Sequence, residues 1–109
     1  MSRMIVVAIV LALGLGVAHG AGPLTEQQAR AKAIALLKGD PYGQTDAAVA
    51  NNIKQAQLVQ NAASKACGRK ATVWEFHVVA KGENGPINGY LALDVRSGKM
   101  VCATLPFLD

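Results

Sequence analysis

Three runs of alternating apolar and polar residues fill the second half of the chain and predict a β-sheet. They are Thr72 to Ala80, Gly89 to Val95 and Lys99 to Leu105. Side chains alternate between the two faces of a strand, so the first run places three large apolar residues on one face: Trp74, Phe76 and Val78. We therefore predict three antiparallel strands that share one apolar face.

Two short connections set the order of these strands. Lys81 to Asn88 contains two glycines, Asn84 and Pro86, a composition typical of a turn. Arg96 to Gly98 is a tight connection, in which Gly98 can adopt a left-handed conformation. Consecutive strands joined by short turns usually pair, which predicts a meander. We expect most of its buried face to come from seven residues: Trp74, Phe76, Val78, Leu91, Leu93, Val101 and Ala103. The alternative is that the loop shifts the register by one residue, which would place Tyr90 on this face instead of Leu91.

The segment from Leu24 to Asn61 predicts two helices. Thr25 and Gln28 have the spacing of a capping box, and the helix that follows, Glu26 to Lys38, ends at Gly39. A second helix is predicted from Thr45 or Asp46 into the Gln57 to Asn61 region, because Val49, Ile53 and Ala56 recur at spacings of three and four. The predicted fold class is α+β, with two N-terminal helices packed on one face of a three-stranded antiparallel β-meander.

The N-terminus has the pattern of a secretory signal peptide. Arg3 precedes the apolar run Met4 to Ala18, and Ala18 to Gly20 offers small residues before a cleavage point at Ala21. A membrane anchor is the alternative, but the run falls short of the roughly 20 residues needed to span a bilayer. We predict a signal peptide at residues 1–20, one domain at 21–109, a periplasmic or secreted location and no stable anchor after cleavage.

The charge of the chain changes this picture little. The net charge is +4, and removal of Arg3 leaves ten Lys and Arg against seven Asp and Glu. Lys65, Arg69 and Lys70 cluster before the first predicted strand, and a basic cluster can bind an acidic partner. This one has neither aromatic interleaving nor a helical stripe, so we interpret it as a solvated loop and predict no nucleic-acid partner.

The two cysteines, Cys67 and Cys102, predict one disulfide, because paired cysteines in a small exported domain are usually bonded. The chain has no CxxC motif for redox exchange, and only His77 remains as a metal ligand once His19 is removed. Closing about 36 residues contributes about 3.8 kcal/mol by the loop-entropy relation. We expect the bond to tie the loop before the first strand to the last strand, and we predict no metal and no cofactor.

Few residues have the types and positions that chemistry requires. His77 and Glu75 share a strand face and suggest an acid/base pair, but no serine, cysteine or metal partner completes a site. Asp94 and Arg96 are interpreted as turn residues. Trp74 is interpreted as a core residue, whereas an exposed tryptophan is a natural interface anchor. We predict that the protein is not an enzyme and has no catalytic residues.

The helix opening LTEQQARAKAIALL, followed downstream by an aromatic alternating strand and by GYLALDVRSGKMV, resembles the PepSY and PepSY-like domains of exported bacterial proteins. Those domains commonly contain a hairpin whose turn reads D, x, x, S/T, G, K/E, which Asp94, Ser97, Gly98 and Lys99 match. The resemblance implies a helix packed on an antiparallel sheet, and a role in inhibiting or modulating a peptidase or another envelope protein. The chain departs from the family in its asparagine- and glutamine-rich middle segment and in its predicted disulfide.

Two functions fit these features. One is an exported binding module that modulates or inhibits an envelope or extracellular protein, such as a peptidase or another hydrolase. The other is a binder of a small molecule or cell-wall fragment on the concave face of the sheet. A protein partner requires an exposed apolar or aromatic patch, whereas a small ligand requires a pocket with a few convergent polar groups. The oligomeric state is left open.

Overall fold

The computed structural model describes residues 22–108, which form two helices followed by four strands. The strands make one antiparallel sheet in chain order. The predicted signal peptide lies outside the described residues, and within residues 22–108 no helix has the length and apolar character to cross a membrane. The elements are α1 (Glu26–Leu37), α2 (Asp46–Asn52), β1 (Ile53–Ser64), β2 (Arg69–Gly82), β3 (Gly85–Asp94) and β4 (Met100–Ala103).

The predicted three-stranded meander under two helices is wrong, because the sheet has four strands. The additional strand is β1, which occupies the segment predicted to be the second half of a long helix. The helix α2 stops after seven residues. The Asn52 side chain donates a hydrogen bond to the Tyr42 carbonyl at 2.9 Å, and Ile53 is already extended.

The pairing of β1 with β2 explains why the helical spacing was misleading. Ala56 lies opposite Phe76 and Leu58 opposite Trp74, while Gln57 between them faces the other side. The same segment therefore satisfies a helical spacing and a strand alternation. The apolar strand β2 beside it favours the strand, because Ala56 and Leu58 then pack beside Phe76 and Trp74 across the pair.

The other elements agree with the sequence pattern. The capping box of α1 is present: Gln28 N–H donates to Thr25 Oγ1 at 3.1 Å and Thr25 N–H to Gln28 Oε1 at 2.9 Å. The expected pairing of the first and second predicted strands, which are β2 and β3 of the structure, is confirmed, with Trp74 opposite Leu93. Gly98 has a φ of 73°. The predicted loop from Lys81 is shorter than expected, because β2 and β3 stay paired as far as Gly82 and Gly85.

The main core lies between the helices and one face of the sheet. From α1, Ala29, Ala33 and Leu37 are buried against it. Of the seven residues predicted to be buried, five are buried and Ala103 is half-buried. Val101 is 47% exposed, contrary to the prediction. The β3–β4 register shifts at this point, so that Val101 has no residue opposite it.

The opposite face of the sheet, here called the far face, is partly covered by the β1–β2 hairpin. This hairpin extends beyond the end of β3, because β3 pairs with β2 only from Val73 onward. The β1–β2 register is broken between Val59 and Ala62, where Asn61 has a φ of 47° and its N–H donates to Thr72 Oγ1 at 2.9 Å. A bulge of this kind bends a hairpin.

The end of the hairpin, residues 64–68, returns over the far face and is here called the tip. Beneath it lies a second small core, formed by Val59, Ala66, Val73 and Ala92. The predicted disulfide is confirmed: Cys67 in the tip is bonded to Cys102 in β4, with their Cα atoms 5.1 Å apart. A disulfide of this kind is suited to a non-reducing compartment.

Candidate binding surface

Glu75 and His77 lie on the same strand face but have separate roles. Glu75 is 6% exposed. Its Oε2 accepts hydrogen bonds from the Ser64 hydroxyl at 2.6 Å and from the Ala66 N–H at 3.1 Å. Charge-assisted hydrogen bonds are stronger than neutral ones. The Glu75 carboxylate therefore anchors the tip to the sheet.

The His77 side chain contacts two residues of β3. Its ring stacks on Tyr90 with centroids 4.9 Å apart, and its Nε2 lies 2.7 Å from Asn88 Oδ1. From the tip, Lys65 places its Nζ 5.4 Å from the centroid of the Tyr90 ring, a cation–π contact. These contacts hold the tip and the far face together.

The residues of the basic cluster, Lys65, Arg69 and Lys70, are all exposed. Arg69 and Lys70 are exposed beside the tip, but they form the start of β2 and not the predicted loop. Lys65 is also exposed, but its charged end contacts Tyr90. The three residues therefore do not form one surface feature.

Trp74 and Asp94 are structural residues. Trp74 is 8% exposed, and its Nε1–H donates to the Leu24 carbonyl at 2.9 Å, which ties the chain before α1 to the sheet. Asp94 Oδ2 accepts from the N–H groups of Ser97 at 2.8 Å and Arg96 at 2.9 Å. These two backbone donors, Ser97 first, hold the pKa of Asp94 below its usual value. The turn interpretation of Asp94 agrees with this geometry.

A groove of about 730 Å³ opens at the end of the sheet where β2 turns into β3. Its walls are this turn, the loop after α1 and the segment after β4. The groove combines three prolines, two large apolar side chains and three charged residues. Its lining residues are Asp40, Pro41, Lys81, Gly82, Glu83, Asn84, Gly85, Pro86, Ile87, Pro106 and Phe107.

The C-terminal wall of the groove is held by Tyr42. This side chain is 1% exposed, and its hydroxyl donates to the Pro106 carbonyl at 2.5 Å. Burial raises the pKa of Tyr42, so the donor keeps its proton at neutral pH. The bond positions Pro106 and directs the chain past the end of β3.

Phe107 follows this anchor and is the most exposed large hydrophobic residue of the described chain. It is 78% exposed, whereas the other exposed large hydrophobic residues are between 37% and 47% exposed. Its φ is 64°. Sequence reasoning missed Phe107 and the groove. The available signal was an apolar sequence, PFL, beyond the last predicted strand.

The charges at the groove are of both signs. Asp40 Oδ1 accepts a hydrogen bond from Gln44 Nε2 at 2.8 Å. Lys81 and Glu83 make no ion pair with any residue between 22 and 108. The groove therefore offers a charged rim around an apolar interior, with two carboxylates and one ammonium group.

No family model, curated protein or solved structure matches this chain. Within residues 22–108, no group of three or more His, Cys, Asp or Glu side chains is arranged to hold a metal ion.

Proposed function

We propose that the protein is an exported, non-enzymatic binding module that modulates or inhibits a protein partner, such as a peptidase or another envelope hydrolase. The observation that carries this proposal is the exposed Phe107 beside the groove. Aromatic residues in pockets at the centre of an interface supply most of the energy of many protein complexes. Burying one such side chain is worth about 1.5–3 kcal/mol.

The surroundings of Phe107 support a protein partner. Pro86, Ile87 and Pro106 give the groove an apolar interior. Lys81 and Glu83, which form no ion pair within residues 22–108, give it a charged rim. An apolar centre with a polar rim is the usual anatomy of a protein interface.

The far face offers less support for the alternative function, binding of a small molecule or cell-wall fragment. The tip covers part of this face, and the Glu75 carboxylate is used to hold it. His77 and Asn88 are bonded to each other. Polar groups that converge on a ligand are needed for such a site, and these are engaged within the protein.

Export is part of the same proposal. The predicted signal peptide at residues 1–20 and the Cys67–Cys102 disulfide both support a periplasmic or secreted location. The resemblance to PepSY domains supports a modulatory role among envelope proteins.

A capture experiment with a matched control tests the proposal. Mature protein is immobilised as wild type, as Phe107→Ala and as Leu36→Ala, and each is exposed to envelope extract. Leu36 is an exposed apolar residue of α1, at 42% exposure, and it does not line the groove. We expect a protein that wild type and Leu36→Ala retain and that Phe107→Ala loses. Equal capture by all three forms, or no captured protein, contradicts the proposal.

A further inference from the structure

One side of β3 lacks a hydrogen-bonded neighbour next to the groove. The strand β2 pairs with β3 along its whole length, whereas β4 pairs only with Leu91–Leu93. Thr104 extends this pairing by one position, because its N–H donates to the Tyr90 carbonyl at 2.8 Å. Beyond Tyr90, no residue between 22 and 108 forms a backbone hydrogen bond with the β4 side of β3.

The alternation of the strand identifies the groups that are left unpaired. In an antiparallel strand, the N–H and C=O of one residue point to the same side, and every second residue points the same way. The backbone groups of Tyr90 face β4, so those of Asn88 and Pro86 face that side as well. Asn88 offers an N–H and a C=O, and Pro86 offers a C=O, about 7 Å apart by the strand repeat.

The chain after β4 cannot fill this position. Pro106 has no N–H to donate to β3, and its carbonyl is held by the Tyr42 hydroxyl. Phe107, with its positive φ, then turns the chain. Among residues 22–108, the edge from Pro86 to Asn88, here called the open edge, therefore has no strand neighbour on its β4 side, and two of its residues line the groove.

We infer that the open edge receives an extended segment of the protein partner, which adds to the sheet as a short strand beside β3. This inference rests on the proposed function and specifies how the partner binds. Strand addition uses backbone hydrogen bonds for affinity and side-chain pockets for specificity. An apolar side chain of the segment occupies the groove beside Ile87 and Phe107. A basic side chain next to it faces Asp40 and Glu83, because the groove is lined by these two carboxylates and by only one ammonium group, that of Lys81.

The same residues argue against a second copy of the chain as the occupant. Two copies joined at their open edges bring two acidic rims together, which is unfavourable. Proline at an edge also restricts pairing between sheets. Pro86 limits the open edge to a short stretch, which suits a peptide segment better than continuous association of sheets.

A phage library of random twelve-residue peptides tests strand addition without knowledge of the partner. The library is selected on the mature wild-type protein. We expect enriched peptides with β-forming apolar residues and a neighbouring Lys or Arg, and we expect their binding to weaken at least tenfold on Asn88→Pro. The matched control is Asn88→Ala, which also removes the side-chain contact with His77 but keeps the backbone N–H. Binding to Asn88→Ala should remain within about threefold of wild type.

Methylation of the peptide backbone provides a second measurement that does not depend on the folding of Asn88→Pro. Methylating the amides of an enriched peptide one at a time should abolish binding at alternate positions only. Strand addition is wrong if no peptide is enriched, if methylation has no alternating effect, or if folded Asn88→Pro binds as well as Asn88→Ala. If these results occur while capture of a partner still depends on Phe107, the proposed function stands and only the mode of binding is wrong.

Discussion

Removal of the disulfide should cost a large part of the stability of the domain. The perturbation is the double variant Cys67→Ser with Cys102→Ser. The bond closes a loop with a sequence separation of 35 residues, for which the loop-entropy relation gives about 3.8 kcal/mol. Domains of this size are stable by about 5–15 kcal/mol. We therefore expect the variant to remain folded but to lose about 3–4 kcal/mol, with a melting temperature lower by roughly 12–30 °C.

Urea unfolding of the mature protein at neutral pH measures this loss. Trp74 is the single tryptophan and is buried, so its fluorescence reports the unfolding of the main core. Wild-type protein treated with a thiol reductant is the matched control and should unfold at the same urea concentration as the double variant. A loss below about 1 kcal/mol would refute the reasoning, because it would mean that the bond does not restrict the unfolded chain by the amount that the loop-entropy relation gives.

Four further predictions concern single features of the chain. Glu75→Gln should lower stability by about 1–3 kcal/mol in urea unfolding, because it weakens the anchor of the tip, whereas the exposed Glu83→Gln should change it by less than about 0.5 kcal/mol. The pKa of Asp94 is lowered in the folded protein, so this carboxylate stabilises the fold at a pH above its unfolded-state pKa of about 3.9. That stability is lost as the pH falls through the folded-state pKa. Asp94→Asn should therefore lose less free energy of unfolding between pH 5 and 2 than wild type does. Thr25→Ala should cost about 1 kcal/mol in thermal unfolding through loss of the helix cap; no measurable cost would mean that the cap is not stabilising. N-terminal sequencing of protein recovered from the envelope should begin at or near Ala21, and retention of Met1 would contradict export by a cleaved signal.

The sequence was sufficient for the parts of the fold that are determined locally. The capping residues of α1 and the alternation around Trp74 each admit one interpretation, and the structure agrees with both. The disulfide followed from cysteine count and predicted compartment. In these segments local propensity and tertiary packing favour the same conformation.

The errors concern segments whose conformation depends on distant residues. The β1 segment has both a helical spacing and a strand alternation, and its pairing with β2 determines which one applies. The bend at Asn61 brings the tip over the far face. It depends on a register shift and on a hydrogen bond with Thr72, and no sequence pattern shows either of them.

The candidate surface was missed for the same reason. Phe107 follows Pro106, whose carbonyl accepts a hydrogen bond from Tyr42, 64 residues earlier in the chain. The groove combines a loop, a hairpin turn and the C-terminal segment. Each of these is an ordinary polar or proline-containing stretch on its own, so only the folded structure indicates a binding surface.

Photo-crosslinking at Phe107 in living cells tests the central claim most directly. The substitution Phe107→p-benzoylphenylalanine keeps an aromatic side chain at the groove and makes it reactive on illumination. Leu36→p-benzoylphenylalanine places the same group on an exposed position of α1 and serves as the control. We predict a discrete crosslink to one envelope or extracellular protein from position 107 and none from position 36. No crosslink from position 107, or the same products from both positions, would contradict the proposal that this surface binds a protein partner.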